Sequence, residues 1–299
     1  MNTITSNLWF DINAEEAVKY YVRLFPNSKV SKTSYYPKEG FETHRMPEGT
    51  VMTIAFELDG QNFIALNGGP HFKFNPSVSF FVILKTGKEI DKLWNELSTG
   101  GQILMKLDKY DWSEKYGWIQ DKFGLSWQLL LGDRKNYPQS ISPSLLFTGR
   151  QKNKAESAIY HYSSIFKNSE IISMEKYGSE GPGLEGTVMF SQFKLNNKIF
   201  MAMDSPIDHP FVFNEAVSFI INCETQEEVD YYWTKLADGG VESMCGWLKD
   251  KFDISWQVVP NRLAELVGSS DREKSGRAMR AMLQMKKIVI SDLEKAYNG

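Results

Sequence analysis

Two short runs repeat in this chain with side chains suited to holding a ligand: Ser126-Trp127-Gln128 and Ser255-Trp256-Gln257. A hydroxyl and an amide two residues apart on a strand share one face, and the tryptophan between them takes the other. Such a set offers uncharged hydrogen bonds to a small molecule. Histidines supply the groups able to move protons near neutral pH: His44, His71, His161 and His209. His71 and His209 each stand just ahead of an aromatic-x-aromatic-Asn run, Phe72–Asn75 and Phe211–Asn214. They read either as polar groups at the mouth of a ligand cavity or as solvated loop residues. His44 falls in a polar loop and His161 on a helix. Cys245 could act as a nucleophile, but Tyr116 takes its place in the matching segment and no base adjoins it, so a buried thiol is expected. Asp121-Lys122 and Asp250-Lys251 recur as well, as paired acids for catalysis or as turns and ion pairs.

The elements that position these residues come in two copies. Leu8-Trp9-Phe10 matches Leu145-Leu146-Phe147, Gly49–Met52 matches Gly186–Met189, and Gly117–Phe123 matches Gly246–Phe252, in one order throughout. A period above 100 residues signals duplicated domains rather than a solenoid. The expected units are 1–137 and 143–261, with PQSISP (Pro138–Pro143) as linker and 262–299 as a helical tail. Within the first unit a strand at Leu8–Phe10 leads to a helix with Asn13 as N-cap and Ala17, Tyr21, Leu24 and Phe25 on one face; Asn153 is the corresponding cap in the second. Strands follow at Lys29–Tyr36, Val51–Leu58 and Asn62–Asn67, then Val78–Leu84. Thr86-x-x-Glu89 and Thr225-x-x-Glu228 read as capping boxes of a second helix, and Gly100-Gly101 and Gly239-Gly240 as its ends. Strands at Gly117–Asp121 and Ser126–Leu130 close the unit. Each half thus reads as two βαβββ-like modules, an α+β fold. The tail predicts helices at Arg262–Leu266, Asp271–Ile288 and Ser291–Tyr297, docked through Met279, Met282, Leu283 and Ile288.

Composition narrows the function classes. Of 299 residues, 42% are hydrophobic, enough for a core in each half, and the formal net charge is −3. No basic stripe suits a nucleic acid; the most basic stretch, Arg277–Lys287, is interleaved with methionines as in a helix docked on its own protein. Two cysteines argue against a disulfide scaffold, and no run reaches the length of a membrane span. The first residues lack the pattern of a signal peptide. A cytoplasmic protein is expected, with no nucleic-acid or membrane partner.

The runs ALNGGPHFKFN (Ala65–Asn75), CGWLKDKF (Cys245–Phe252), SWQVVP (Ser255–Pro260) and AMLQMKKI (Ala281–Ile288) resemble the PhnB-like proteins, which carry the label 3-demethylubiquinone-9 3-methyltransferase, in the vicinal oxygen chelate (glyoxalase, bleomycin resistance, dioxygenase) superfamily. The resemblance implies tandem glyoxalase-like domains, paired βαβββ modules curled into cups, and a pseudo-dimer within the chain; a further homodimer stays open. It also implies that a divalent metal, where present, is held near Trp9 or Phe10, Asn67, Ser79 and Gln128 in one repeat and near Leu146 or Phe147, Asp204, Ser218 and Gln257 in the other. These are not the His and Glu of a chelate site, and amide and hydroxyl oxygens are weak ligands for a transition metal. No metal and no cofactor is therefore expected. The expected ligand site comprises Phe10, Asn67, Ser79, Gln128, His71 in repeat one and Phe147, Asp204, Ser218, Gln257, His209 in repeat two. Phe72, Phe74, Phe211 and Phe213 are its expected apolar walls, and Trp127 and Trp256 should point away into the core. A methyl-donor fold would need a glycine turn between a strand and a helix of a doubly wound sheet, and Gly68-Gly69 leads instead into Pro70-His71. The functions in play are a glyoxalase-like enzyme, a small-molecule binding or resistance-type sequestering protein, and an interaction protein with a vestigial site.

Overall fold

The structure is a computed structural model that describes residues 4–133, 135–137 and 139–299. In chain order the first repeat contains β1 (Ile4–Phe10), α1 (Ala14–Leu24), β2 (Lys29–Tyr35), a short α2 (Phe41–His44), β3 (Val51–Leu58), β4 (Gln61–Asn67), β5 (Val78–Leu84), α3 (Gly87–Ser98), β6 (Gln102–Tyr110), β7 (Ser113–Gln120) and β8 (Ser126–Leu131). The second contains β9 (Ile141–Phe147), α4 (Ala155–Ile165), β10 (Glu170–Lys176), β11 (Val188–Leu195), β12 (Lys198–Asp204), β13 (Val217–Cys223), α5 (Gln226–Ala237), β14 (Val241–Glu242), β15 (Trp247–Lys249) and β16 (Ser255–Pro260). Helices α6 (Asn261–Val267), α7 (Arg272–Met282) and α8 (Ile290–Asn298) form the tail, so the helix predicted over Asp271–Ile288 ends at Met282. The predicted linker is already strand from Ile141 onward; its Pro138 lies outside the described residues.

Two eight-stranded mixed sheets result, and each draws on both repeats. Sheet I runs β14-β15-β16-β13-β1-β4-β3-β2, and sheet II runs β6-β7-β8-β5-β9-β12-β11-β10. The two orders are the same once each strand is replaced by its repeat equivalent, which is the signature of a pseudo-two-fold pair. The modules exchange at the sheet centres, where β1 pairs antiparallel with β13 and β5 with β9. A cup confined to one repeat, as expected from sequence, is therefore corrected: Ser79 and Gln128 share sheet II with Phe147 and Asp204, while Phe10 and Asn67 share sheet I with Ser218 and Gln257.

The sheets stand back to back on one continuous core. Phe63 of sheet I meets Phe80 of sheet II at 5.2 Å between ring centroids, and Phe200 meets Phe219 at 5.1 Å. Helices fill the rest of the gap. Tyr21 and Phe25 of α1 pack on Trp127 of β8, and Tyr162 and Phe166 of α4 pack on Trp256 of β16. Each contact is locked by one buried carboxylate. Asp121 Oδ2 accepts from Tyr21 Oη at 2.7 Å and Trp127 Nε1 at 2.8 Å, while Oδ1 accepts the N–H groups of Phe123 and Leu125. Asp250 repeats the set with Tyr162, Trp256, Phe252 and Ile254. These recurrent acids are staples between modules, with every acceptor position occupied. Burial pushes Asp250 up to about 6 against the pull of its four donors.

Candidate functional site

Alternation along the strands decides which side chains can line a concave face. On β5, Val78, Phe80 and Val82 belong to the back-to-back core, so Ser79, Phe81 and Ile83 face outward into the cup of sheet II. On β8, Trp127 and Leu129 are core, so Ser126, Gln128 and Leu130 share that cup. The expected register of Trp127 and Gln128 is thus the one observed. Gln128 Nε2 donates to Ser79 Oγ at 2.7 Å, and its Oε1 accepts from Tyr116 Oη. Burial raises the Tyr116 hydroxyl far above its ordinary value, which keeps it a neutral donor. In sheet I, Gln257 Nε2 donates to Ser218 Oγ at 3.0 Å, and Asn7 Nδ2 donates to the same oxygen at 3.2 Å. Trp9 stands beside this set, its Nε1 bonded to Gly69 O at 2.8 Å and its ring edge-on to Trp247 at 5.9 Å. Gly68 must lack a side chain here, because a Cβ would lie 2.3 Å from the Trp9 indole.

Four expected site residues face the other way. Asn67 shares the parity of the core residues Phe63 and Ala65; its Oδ1 accepts Ala14 N at 2.9 Å and its Nδ2 donates to Val51 O at 3.0 Å. Asp204 shares the parity of Phe200 and Ala202; its oxygens accept Ala155 N at 3.1 Å and Val188 N at 3.0 Å. Both residues tie a helix N-terminus to a neighbouring strand. They do the capping that sequence assigned to Asn13 and Asn153: Asn13 makes no side-chain cap bond, and the N-cap of α4 is Lys154. Phe10 and Phe147 are likewise core residues, packed on Phe74 and Phe213 at 5.1 and 5.2 Å. The alternation rule could not be applied to these strands by eye, because Ile64, Leu66, Met201 and Met203 on the outer face are as apolar as the inner residues.

The aromatic loops meet at the rim of sheet I's cup, where Phe72 stands edge-on to Trp9 at 5.0 Å. Residues 70–75 and 210–214 meet across an open cleft of about 570 Å³ lined by His71, Phe72, Phe74, Phe211 and Val212 among others. Asn75 Nδ2 donates to Val212 O, and Asn214 Nδ2 to Lys73 O, so the two asparagines clasp the loops together. His71 lies exposed in that cleft. His209 is stacked on Phe211 at 4.6 Å and its Nε2 lies 2.7 Å from Ser205 Oγ; burial lowers its proton affinity. Neither histidine reaches the Gln–Ser sets. Cys245 sits in the left-handed region at φ +60° with its thiol pushed up to about 11 by burial, the opposite of an activated nucleophile.

Sequence reasoning missed Asn7, Tyr116, Ser144 and Gln192. Ser144 is the repeat equivalent of Asn7 and lies opposite both Ser79 and Met201 in the ladders; Gln192 lies opposite Met201. Alignment of the repeats could have found Asn7 and Ser144, since both stand three residues before the matched Phe10 and Phe147.

The donors on the concave faces do not fit a divalent metal of the superfamily's type. Those gathered around the two Gln–Ser pairs are hydroxyls, amides and indoles, the carboxylate expected among them points at a helix, and no group of three His, Cys, Asp or Glu gathers among the described residues.

Two back-to-back sheets, each closed from βαβββ modules exchanged across a pseudo-two-fold, define a glyoxalase-type architecture. Glyoxalase I from Zea mays shares it, with a TM-score of 0.55 over 87% of this chain and 93% of that one, at 10% identity. The family model of 3-demethylubiquinone-9 3-methyltransferase matches residues 2–130 and again 139–259, and the chain belongs to that family as a tandem duplication. A PhnB protein from Bacillus cereus is 38% identical over 43% of this chain and 98% of its own, with a TM-score of 0.39; a protein from Staphylococcus aureus is 36% identical over 44% and 96%, with a TM-score of 0.19. No curated protein matches the chain. Among the described residues no helix is long and apolar enough to cross a membrane.

Proposed function

We propose that this chain is a small-molecule binding protein whose ligand sits against a concave sheet face and is recognised by neutral hydrogen bonds without a metal. One observation carries the reading: each concave face holds a buried, mutually bonded Gln–Ser pair, Gln128–Ser79 or Gln257–Ser218. An apolar lining with a few fixed polar groups is the usual character of a small-molecule site. Sequestration is favoured over catalysis, because the Gln–Ser sets have no His, thiol or carboxylate among their hydrogen-bond partners to take a proton. The literal methyltransferase activity of the family description is disfavoured by mixed, cup-like sheets where a methyl-donor fold needs a doubly wound parallel one. A cytoplasmic setting agrees with two free cysteines, one of them buried.

The test is native mass spectrometry of the purified full chain for a retained small molecule, repeated on the double variant Gln128→Ala/Gln257→Ala. The expected outcome is an adduct on the parent protein that the double variant loses while folded. Elemental analysis should find well under one Zn, Fe or Ni per chain. A stoichiometric metal held by protein side chains in either cup sinks the metal-free reading.

A further inference from the structure

The two concave faces differ in what lies over them and in how well their polar atoms are satisfied. Over sheet I the tail spans from edge to edge. Cys245 N and Gly246 N donate to Met285 O and Lys286 O beside β15, and Val259 of β16 packs with Leu263, Leu266 and Ile288. At the other edge α7 meets the β2–β3 connection, where Arg280 pairs with Glu39 and Leu283 presses on Gly40. Among the described residues no helix crosses sheet II's concave face. The tail's counterpart there is the β6–β7 hairpin, whose pairing is interrupted by three register shifts. Near its tip Trp112, 65% exposed, stacks on Tyr110 at 4.9 Å, and Tyr110 in turn meets Tyr116 at 5.8 Å.

From the strand next to that hairpin a largely polar row crosses sheet II in register: Ser126, Ser79, Ser144, Met201 and Gln192. Ser126 Oγ and Ser79 Oγ have partners, from Trp118 and Gln128. Ser144 Oγ and Gln192 Oε1 have none, although Ser144 is 1% and Gln192 6% exposed. A buried acceptor without a donor forfeits the bonds it made in water, so this pair is an unmet demand for an N–H or O–H group. The equivalents in sheet I are Asn7, which bonds Ser218, and Ala55, which has no polar atom. Sheet I's own bare hydroxyl, Ser255, lies on β16, toward the edge that the tail clasps. The covering residues differ too. Met201 and Met203 in sheet II stand where sheet I has Ile64 and Leu66, and unbranched thioethers make way for a guest where branched side chains resist. The row itself carries no charge, so an ionic ligand would be desolvated there without compensation.

Resting on the binding reading above, we propose that sheet II alone is the ligand-taking face, that its ligand is an uncharged planar molecule donating an N–H or O–H to Gln192 Oε1 beside Ser144, and that the β6–β7 aromatic hairpin lies over it. Three naphthalenes of one shape test this on the full chain by isothermal titration. 2-Naphthol has a neutral donor, 2-methoxynaphthalene lacks it, and naphthalene-2-sulfonate is charged. The expected result is saturable 2-naphthol binding at one per chain, roughly tenfold or more weaker binding of the methoxy compound, and none of the sulfonate. Gln192→Leu should bring 2-naphthol down to the methoxy level without changing the methoxy affinity, and Met201→Ile/Met203→Leu should weaken both neutral probes. If 2-naphthol binds but is lost in Gln257→Ala and kept in Gln192→Leu, the cup reading stands and this assignment to sheet II falls. Equal affinity for the alcohol and the ether shows that Ser144 and Gln192 hold buried water instead and overturns the donor requirement. No saturable binding of either neutral probe overturns both readings.

Discussion

Sheets I and II descend from one duplicated pattern, yet they differ by region in an ordered way. Toward the back-to-back core they are near copies: Tyr21–Asp121–Trp127 and Tyr162–Asp250–Trp256 make the same bonds to within 0.1 Å. On the concave side they have parted. Asn7 corresponds to Ser144, Ala55 to Gln192 and Cys245 to Tyr116, and where one sheet is crossed by a helical tail the other ends in an aromatic edge hairpin. A buried staple tolerates little change, since losing one member strands the others without partners. A concave face loses little stability when its residues change, so the copies are free to diverge there.

The largest test breaks the symmetric half of this comparison. Trp127→Ala and Trp256→Ala should each cost about 3–5 kcal/mol in urea unfolding, as buried aromatic truncations, and by similar amounts. A cost under 1 kcal/mol for one of them would mean that its staple contributes little and that the core is not symmetric in energy.

A second test exploits a core position where the copies differ in charge. Lys198 takes the place of Gln61 at the start of β12 and is buried between the sheets, its Nζ 3.0 Å from Ser6 Oγ and 5.9 Å from the Phe63 ring centroid. Burial lowers its pKa from 10.5 to about 7. The unfolded chain therefore binds the proton more tightly between pH 7 and 10.5, and stability should rise with pH across that window and flatten below it. Between pH 7 and 9 the gain should be about 2–3 kcal/mol, measured as the difference between the parent protein and Lys198→Gln, whose profile lacks this contribution. Parallel profiles would show that Lys198 stays solvated.

Smaller effects sharpen the contrast at the helix starts. Asn67 donates to a carbonyl, Val51 O, where Asp204 accepts from an N–H, Val188 N. Exchanging the two, Asn67→Asp or Asp204→Asn, sets like against like and should cost about 1–3 kcal/mol each by thermal or urea unfolding. Neutral outcomes would mean that these side chains do not hold α1 and α4. Gln128→Ala belongs at the end of the scale: it leaves Tyr116 Oη and Ser79 without a partner, so a cost of about 1 kcal/mol is expected beside any loss of binding.

The amino-acid sequence by itself determined the duplication, the order of helices and strands, the α+β class and the inward turn of Trp127 and Trp256. These follow from local chemistry: Thr86 and Glu89 do form a capping box, and Ser-Trp-Gln alternates polar, aromatic, polar as a half-buried strand must. Tertiary structure alone decided that the cups mix the repeats, because β1 can pair with β13 or with its own repeat's β5 by the same alternating pattern. It also decided that Asn67 and Asp204 serve helices rather than a ligand. Strands apolar on both faces carry no parity signal, and a helix N-terminus accepts a cap from any oxygen brought near, however distant in the chain.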